Sequence, residues 1–134
     1  MPWKELPHTA DAGLEIEADS AEGLVLESAK ALYSFMFGEF SDLKPDQEDT
    51  IKIESLDLLE LFVSWLNELL YIYDVRERIF YPRDVSIDLQ GMRLSVNGNL
   101  CIPPKPVRAI KAVTYGSAEI TTKPTWRFRV YLDL

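Results

Sequence analysis

The sequence predicts an α+β fold, a three-layer β/α/β sandwich with two helices between two sheets. Three observations point there. Roughly seven short segments alternate polar and apolar residues, as strands with one covered face do. Two longer segments repeat their apolar residues at helical spacing. The second of these is apolar on several sides and has to be covered on more than one. Strands with one apolar face cannot bury themselves, and helices placed between two sheets satisfy both demands.

The elements follow in order. Gly13-Leu14-Glu15-Ile16-Glu17-Ala18 alternates and reads as the first clear strand. Ser20 is placed to cap a helix over residues 21–37, where Val25, Ala29, Leu32 and Met36 share a face and Gly38 supplies the stop. Residues 39–49 are acidic, contain Pro45 and read as a connection. A short strand, Thr50-Ile51-Lys52-Ile53-Glu54, leads to Ser55, a candidate cap for a second helix over residues 56–74. Leu59, Phe62, Leu66, Leu69, Leu70 and Tyr73 form its stripe, while Leu58, Leu61, Val63, Trp65 and Ile72 widen it.

The second half is strand-like. Val85, Ile87 and Leu89 alternate, Gln90-Gly91 turns the chain, and Met92, Leu94 and Val96 alternate again, which predicts a hairpin. The Pro103-Pro104-Lys105-Pro106 stretch cannot enter a central strand. Residues 110–115 and 118–122 are two further strand candidates around Gly116. In the last strand Trp126, Phe128, Val130 and Leu132 face one way, and Arg127, Arg129, Tyr131 and Asp133 the other.

Length and composition set bounds. A chain of 134 residues fits one domain, expected to span 1–134, and 47% hydrophobic residues suit a globular core. Cys101 has no partner cysteine and sits between Leu100 and Ile102, so a buried small hydrophobe is expected rather than a reactive thiol. No signal-like leader and no membrane-length apolar run are present, and a reducing, cytoplasmic setting is expected. The net charge is −8; residues 1–100 carry 8 basic against 20 acidic side chains and residues 101–134 carry 6 against 2. Such a surface repels phosphate backbones, so direct nucleic-acid binding is not expected and a basic protein partner is favoured.

Few parts for conventional catalysis are available. No glycine-rich phosphate loop precedes either helix, the only histidine is His8, and one His with one Cys does not make a zinc site. Oxygen chemistry remains. Asp11 lies opposite the Leu14 and Ile16 face, and Asp133 opposite Val130 and Leu132, with Leu134 following. Were the first and last strands neighbours, both aspartates and the Leu134 terminal carboxylate would converge and repel one another unless a hard cation, calcium or magnesium, joined them. Two polar-face aspartates are also ordinary in strands, and His8 is more often a hydrogen-bonded structural residue than a ligand. Glu60, Ser64, Asn67, Glu68 and Tyr71 share the polar side of the second helix, as a solvated face or a docking surface. Lys111 reads either as an edge-blunting charge or as an anchor for a partner's carboxylate or phosphate.

Four blocks in register carry a resemblance. His8-Thr9-Ala10-Asp11, residues 65–71 (WLNELLY), residues 110–115 (IKAVTY) and residues 129–134 (RVYLDL) resemble the archease family from first strand to last residue. The resemblance implies a three-layer fold and a cation, usually calcium, held by Asp11, Asp133 and Leu134. It implies activation of an RtcB-type RNA ligase that joins tRNA halves with GTP: guanylylation of the ligase is promoted and turnover repeated, with Asp11, Lys111 and Asp133 acting on the partner. The chain itself is then not an enzyme. Two other roles compete, a general chaperone for RNA-modifying enzymes such as a tRNA methyltransferase, and a metal-dependent hydrolase using a water at the carboxylates. The sequence departs from the family pattern at Gly116, where a His often follows the Thr-Tyr pair, and at Tyr131, where an aliphatic residue is usual.

Overall fold

The structure, a computed structural model, describes residues 2–6, 12–40 and 43–134. In chain order the elements are β1 (Trp3–Leu6), β2 (Ala12–Ala18), α1 (Ala21–Phe37), β3 (Lys44–Glu54), α2 (Leu58–Arg76), β4 (Ile79–Asp88), β5 (Arg93–Ile102), β6 (Ala112–Thr121) and β7 (Trp126–Asp133). One sheet has the order β1-β2-β7-β6 and the other β3-β5-β4, with every neighbouring pair antiparallel. Both helices lie between the sheets: α1 packs on β2 and β4, and α2 on β6, β4 and β3. The expected three layers are present.

One continuous core runs through them. Leu14, Ile16, Phe128 and Val130 descend from the first sheet onto Leu24, Val25, Phe62, Trp65 and Leu66 of the helices, and Phe80, Leu94 and Val96 rise from the second. The polar atoms of its Trp65 and Tyr33 side chains are matched, as burial demands. The Trp65 indole N–H donates to the Val25 carbonyl at 3.1 Å and so joins the helices. The Tyr33 hydroxyl donates to the Phe80 carbonyl at 2.6 Å and accepts from the Phe80 N–H at 3.1 Å, fixing α1 to β4. Cys101 is buried, as expected of a small hydrophobe, and burial pushes its thiol pKa up.

Local chemistry explains the helix ends. The Ser20 side chain accepts from the Gly23 N–H, and Gly38, at φ 72°, donates its N–H to the Ser34 carbonyl, so α1 starts and stops where its sequence indicates. The second helix differs. Asp57, not Ser55, is its cap: the Asp57 carboxylate accepts from the Glu60 N–H at 2.8 Å, and Glu60 reaches back to the Leu56 N–H at 3.3 Å. Asp57 has an acid three residues on and Ser55 has a leucine, and the return bond from Glu60 lands on Leu56, one residue before the cap, a variant of the capping box. The helix also runs two residues past Asp74, to Arg76, closing on Glu77 in the left-handed region.

Three strand readings change. Residues from Lys44 onward belong to β3, not to a connection, and this acidic stretch pairs along β5 with a register shift next to Pro45. Arg78 holds Asp46 at 3.0 Å and Arg76 holds Asp49 at 2.9 Å, so distant cations neutralise what the local sequence leaves acidic. The two candidates around Gly116 are a single strand, β6, whose pairing with β7 jumps between Thr114 and Glu119. Finally, Trp3–Leu6 forms a short edge strand, β1, that its four residues do not announce by alternation.

Candidate functional site

Antiparallel pairing of β2 with β7 builds the candidate site. The register runs from Ala18 opposite Trp126 to Ala12 opposite Leu132, so the first clear strand and the last strand are neighbours. Phe128, Val130 and Leu132 are buried, which turns Arg127, Arg129, Tyr131 and Asp133 to the outer side of the sheet. The strand period makes the same choice on β2, where Leu14 and Ile16 are fully buried and Glu15 and Glu17 take the other face.

That outer face is a ladder of matched charges. Arg129 lies 2.9 Å from Glu15, Lys4 lies 3.1 Å from the second Glu15 oxygen, Arg127 lies 2.7 Å from Glu17, and Arg129 also reaches Glu119 at 3.4 Å. Glu15 is only 7% exposed. Its hydrogen bond with Arg129 outweighs the penalty of burial and, helped by Lys4, holds its carboxyl below the ordinary carboxylate value. The ladder ends before the strand does. Among the described residues Asp133 takes part in no ion pair, and it is exposed next to Leu134, itself 48% exposed.

Lys111 stands beside this end. Its N–H donates to the Asp133 carbonyl at 2.8 Å, continuing the β6–β7 pairing one residue beyond Ala112 opposite Asp133. Its side chain is exposed and, among the described residues, takes part in no ion pair. The structure therefore brings together Lys111, Asp133 and Leu134. Asp11 and His8 lie outside the described residues.

Asp133 supplies carboxylate oxygen, the donor type hard cations select. Among the described residues no group of three or more His, Cys, Asp or Glu could hold an ion, so Asp133 would need a donor from beyond them.

The polar side of α2 divides. Glu60 is spent on the cap, and Asn67 is a structural clamp: its side-chain amide donates to the Val113 carbonyl at 2.9 Å and its oxygen accepts from the Val113 N–H at 2.8 Å. Tyr71 is left exposed. The Glu15–Arg129 pair is the least exposed ion pair of the sheet among the described residues, and it is not legible in the sequence. Its one sequence signal is opposite charge on the polar faces of two strands whose adjacency has to be known first.

Comparison with known proteins bears on this arrangement. The sequence model of the Archease protein family (MTH1598/TM1083) matches residues 3–134. "Protein archease" of Methanopyrus kandleri is 38% identical over 85 residues, covering 63% of this chain and 60% of its own length. "Protein archease" of Pyrococcus furiosus is 29% identical over 136 residues, covering 97% of this chain and 95% of its own. The solution structure of Methanobacterium thermoautotrophicum protein 1598 superposes with a TM-score of 0.78 at 27% identity, covering 99% of both chains. The crystal structure of a Thermotoga maritima archease, described as a possible chaperone, gives 0.67 at 21% identity over 98% of this chain and 96% of that one, a likeness of fold. Among the described residues no helix is long and apolar enough to cross a membrane.

Proposed function

This chain belongs to the archease protein family, and from that premise we propose that it is a non-catalytic protein activator of an RtcB-type RNA ligase acting on tRNA halves. The observation that supports this best is the end of the β7 charge ladder. Every other charged side chain on the outward face of that strand is matched by an opposite charge, whereas Asp133 is presented at the sheet's end beside Lys111.

Asp133, the Leu134 carboxylate and Asp11 would together hold a divalent cation, calcium in the first instance and magnesium in the second. The cation would supply the positive charge that lets three carboxylates stand together. The chain's own residues do the rest. The Lys111 N–H bond to the Asp133 carbonyl keeps the two residues adjacent along the backbone, so an ammonium and a carboxylate would reach a partner from the same end of the sheet. Lys111 offers a point charge to a phosphate or carboxylate at the guanylylation site. The acidic remainder of the surface favours approach to a basic ligase and disfavours RNA itself.

The test is multiple-turnover ligation with the purified ligase, GTP and broken RNA. Wild-type protein should raise turnover, and Asp133→Ala and Asp11→Ala should not. Calorimetry with calcium should show binding that either substitution weakens. Full activation by both variants would overturn the reading. A general chaperone role predicts suppressed aggregation of unrelated client enzymes with no effect on guanylylation.

A further inference from the structure

Away from the Asp133 end, the described residues leave one flank of the sandwich uncovered. Residues Gly23, Glu27, Lys30, Ser34 and Gly38 follow one another at four-three-four-four spacing along one face of α1, and both sheets stop short of covering them. The flanking edge strands are β1 of the first sheet and β4 of the second. The result is a groove in two compartments of about 590 Å³ and about 520 Å³ that share Pro2 and Glu27. From Gly23 to Gly38 the helix rises about 22 Å, the length of about seven residues of extended chain.

The lining has a definite chemistry. Trp3, Phe40 and Tyr81 give aromatic surface to the first compartment, and Tyr81 is 40% exposed. Glu27 and Glu39 line it with Lys30, and Glu17 and Asp19 add two carboxylates in the second. Lys30 sits 3.5 Å from Glu27 and Arg127 sits 2.7 Å from Glu17, so two of these acids are matched in part and Asp19 and Glu39 are left to carry the negative charge. Rings beside carboxylates suit guanidinium and ammonium groups, which stack on the one and pair with the other. The carboxylates outnumber the cations here, so a phosphate backbone would meet net repulsion. Pro82 and the register shift after it interrupt the β4 edge, so recognition has to come through side chains rather than by adding a strand.

We propose that this groove binds an extended segment of a partner protein rich in arginine or lysine. Asp133, Leu134 and Lys111 line neither compartment, so the groove is a second point of contact whose test does not depend on the identity of the ligase. The experiment measures fluorescence anisotropy of a labelled eight-residue peptide alternating arginine and serine, titrated with the full chain. Wild-type protein should bind it at least tenfold more tightly than free arginine amide, and should not bind the matching glutamate–serine peptide. Glu27→Lys with Glu39→Lys should weaken binding at least tenfold, and Tyr81→Ala, which leaves net charge unchanged, about fivefold. Glu48→Lys with Glu54→Lys makes the same charge change on β3 and should leave binding within twofold, all variants being compared at equal helical signal. Amide shifts on adding the peptide should centre on Gly23, Ser34 and Gly38. Equal weakening by the two charge-reversed pairs, equal affinity for free arginine amide, shifts centred elsewhere, or no binding by wild type would each overturn the proposal.

Discussion

Asn67 and Val113 are joined by two hydrogen bonds, 2.9 Å from the amide nitrogen to the carbonyl and 2.8 Å from the N–H to the amide oxygen. A helix side chain thereby completes the backbone pairing of β6, an edge strand, two residues from Lys111.

Loss of that clamp should be measurable. Asn67→Ala removes both partners of the Val113 backbone, and Asn67→Asp removes the donor and sets a negative charge against a carbonyl. Each should cost about 1–3 kcal/mol in urea unfolding. Faster amide exchange at Val113 should accompany the loss, and its absence would show that the clamp is not what holds the edge.

Acid stability should depend on Glu15. Its folded pKa lies below the ordinary 4.5, chiefly through Arg129 and further through Lys4. A depressed carboxylate stabilises the fold fully above the unfolded value, and that stability is lost as pH falls through the lower folded one. Glu15→Gln should therefore unfold about 1.5–3 kcal/mol more easily at neutral pH. It should also show a flatter fall in Tm below pH 5, in thermal melts from pH 2 to pH 7. An unchanged acid slope would count against the assignment.

Trp65 should be intolerant of change. It is fully buried, bonded to the Val25 carbonyl and set edge-on to Phe80 at 6.2 Å. Trp65→Phe should cost about 2 kcal/mol, combining a lost hydrogen bond with a small void, and Trp65→Ala about 3–5 kcal/mol. Calcium affinity of the folded Trp65→Phe protein should match wild type, which calorimetry would check.

Lys111 separates partner activation from cation binding. Lys111→Ala keeps the N–H that bonds Asp133, so folding and calorimetric calcium binding should be unchanged. Multiple-turnover ligation should fall at least tenfold. A variant that activates as well as wild type would restrict Lys111 to blunting the strand edge.

Much of the fold was legible because period and capping are local. Ser20, Gly38 and the alternation of Phe128, Val130 and Leu132 specify their elements with no knowledge of their neighbours. Where partners come from far along the chain, local reading fails. Acidic Asp46 and Asp49 look like a loop until Arg78 and Arg76 neutralise them. Trp3–Leu6 is a strand because it lies against Leu6↔Gly13 through Trp3↔Ile16.

The site divides along the same line. By itself the sequence determined which residues carry oxygen and charge, Asp133 and Lys111 among them, and which side of its strand Asp133 takes, because side-chain direction in a strand follows from counting by two. Tertiary structure alone decided that the first clear strand lies beside the last, that Glu15 meets Arg129, and that Asn67 serves a strand edge rather than solvent. Strand adjacency is set by how two sheets close over two helices, a property of the whole core that no stretch of residues contains.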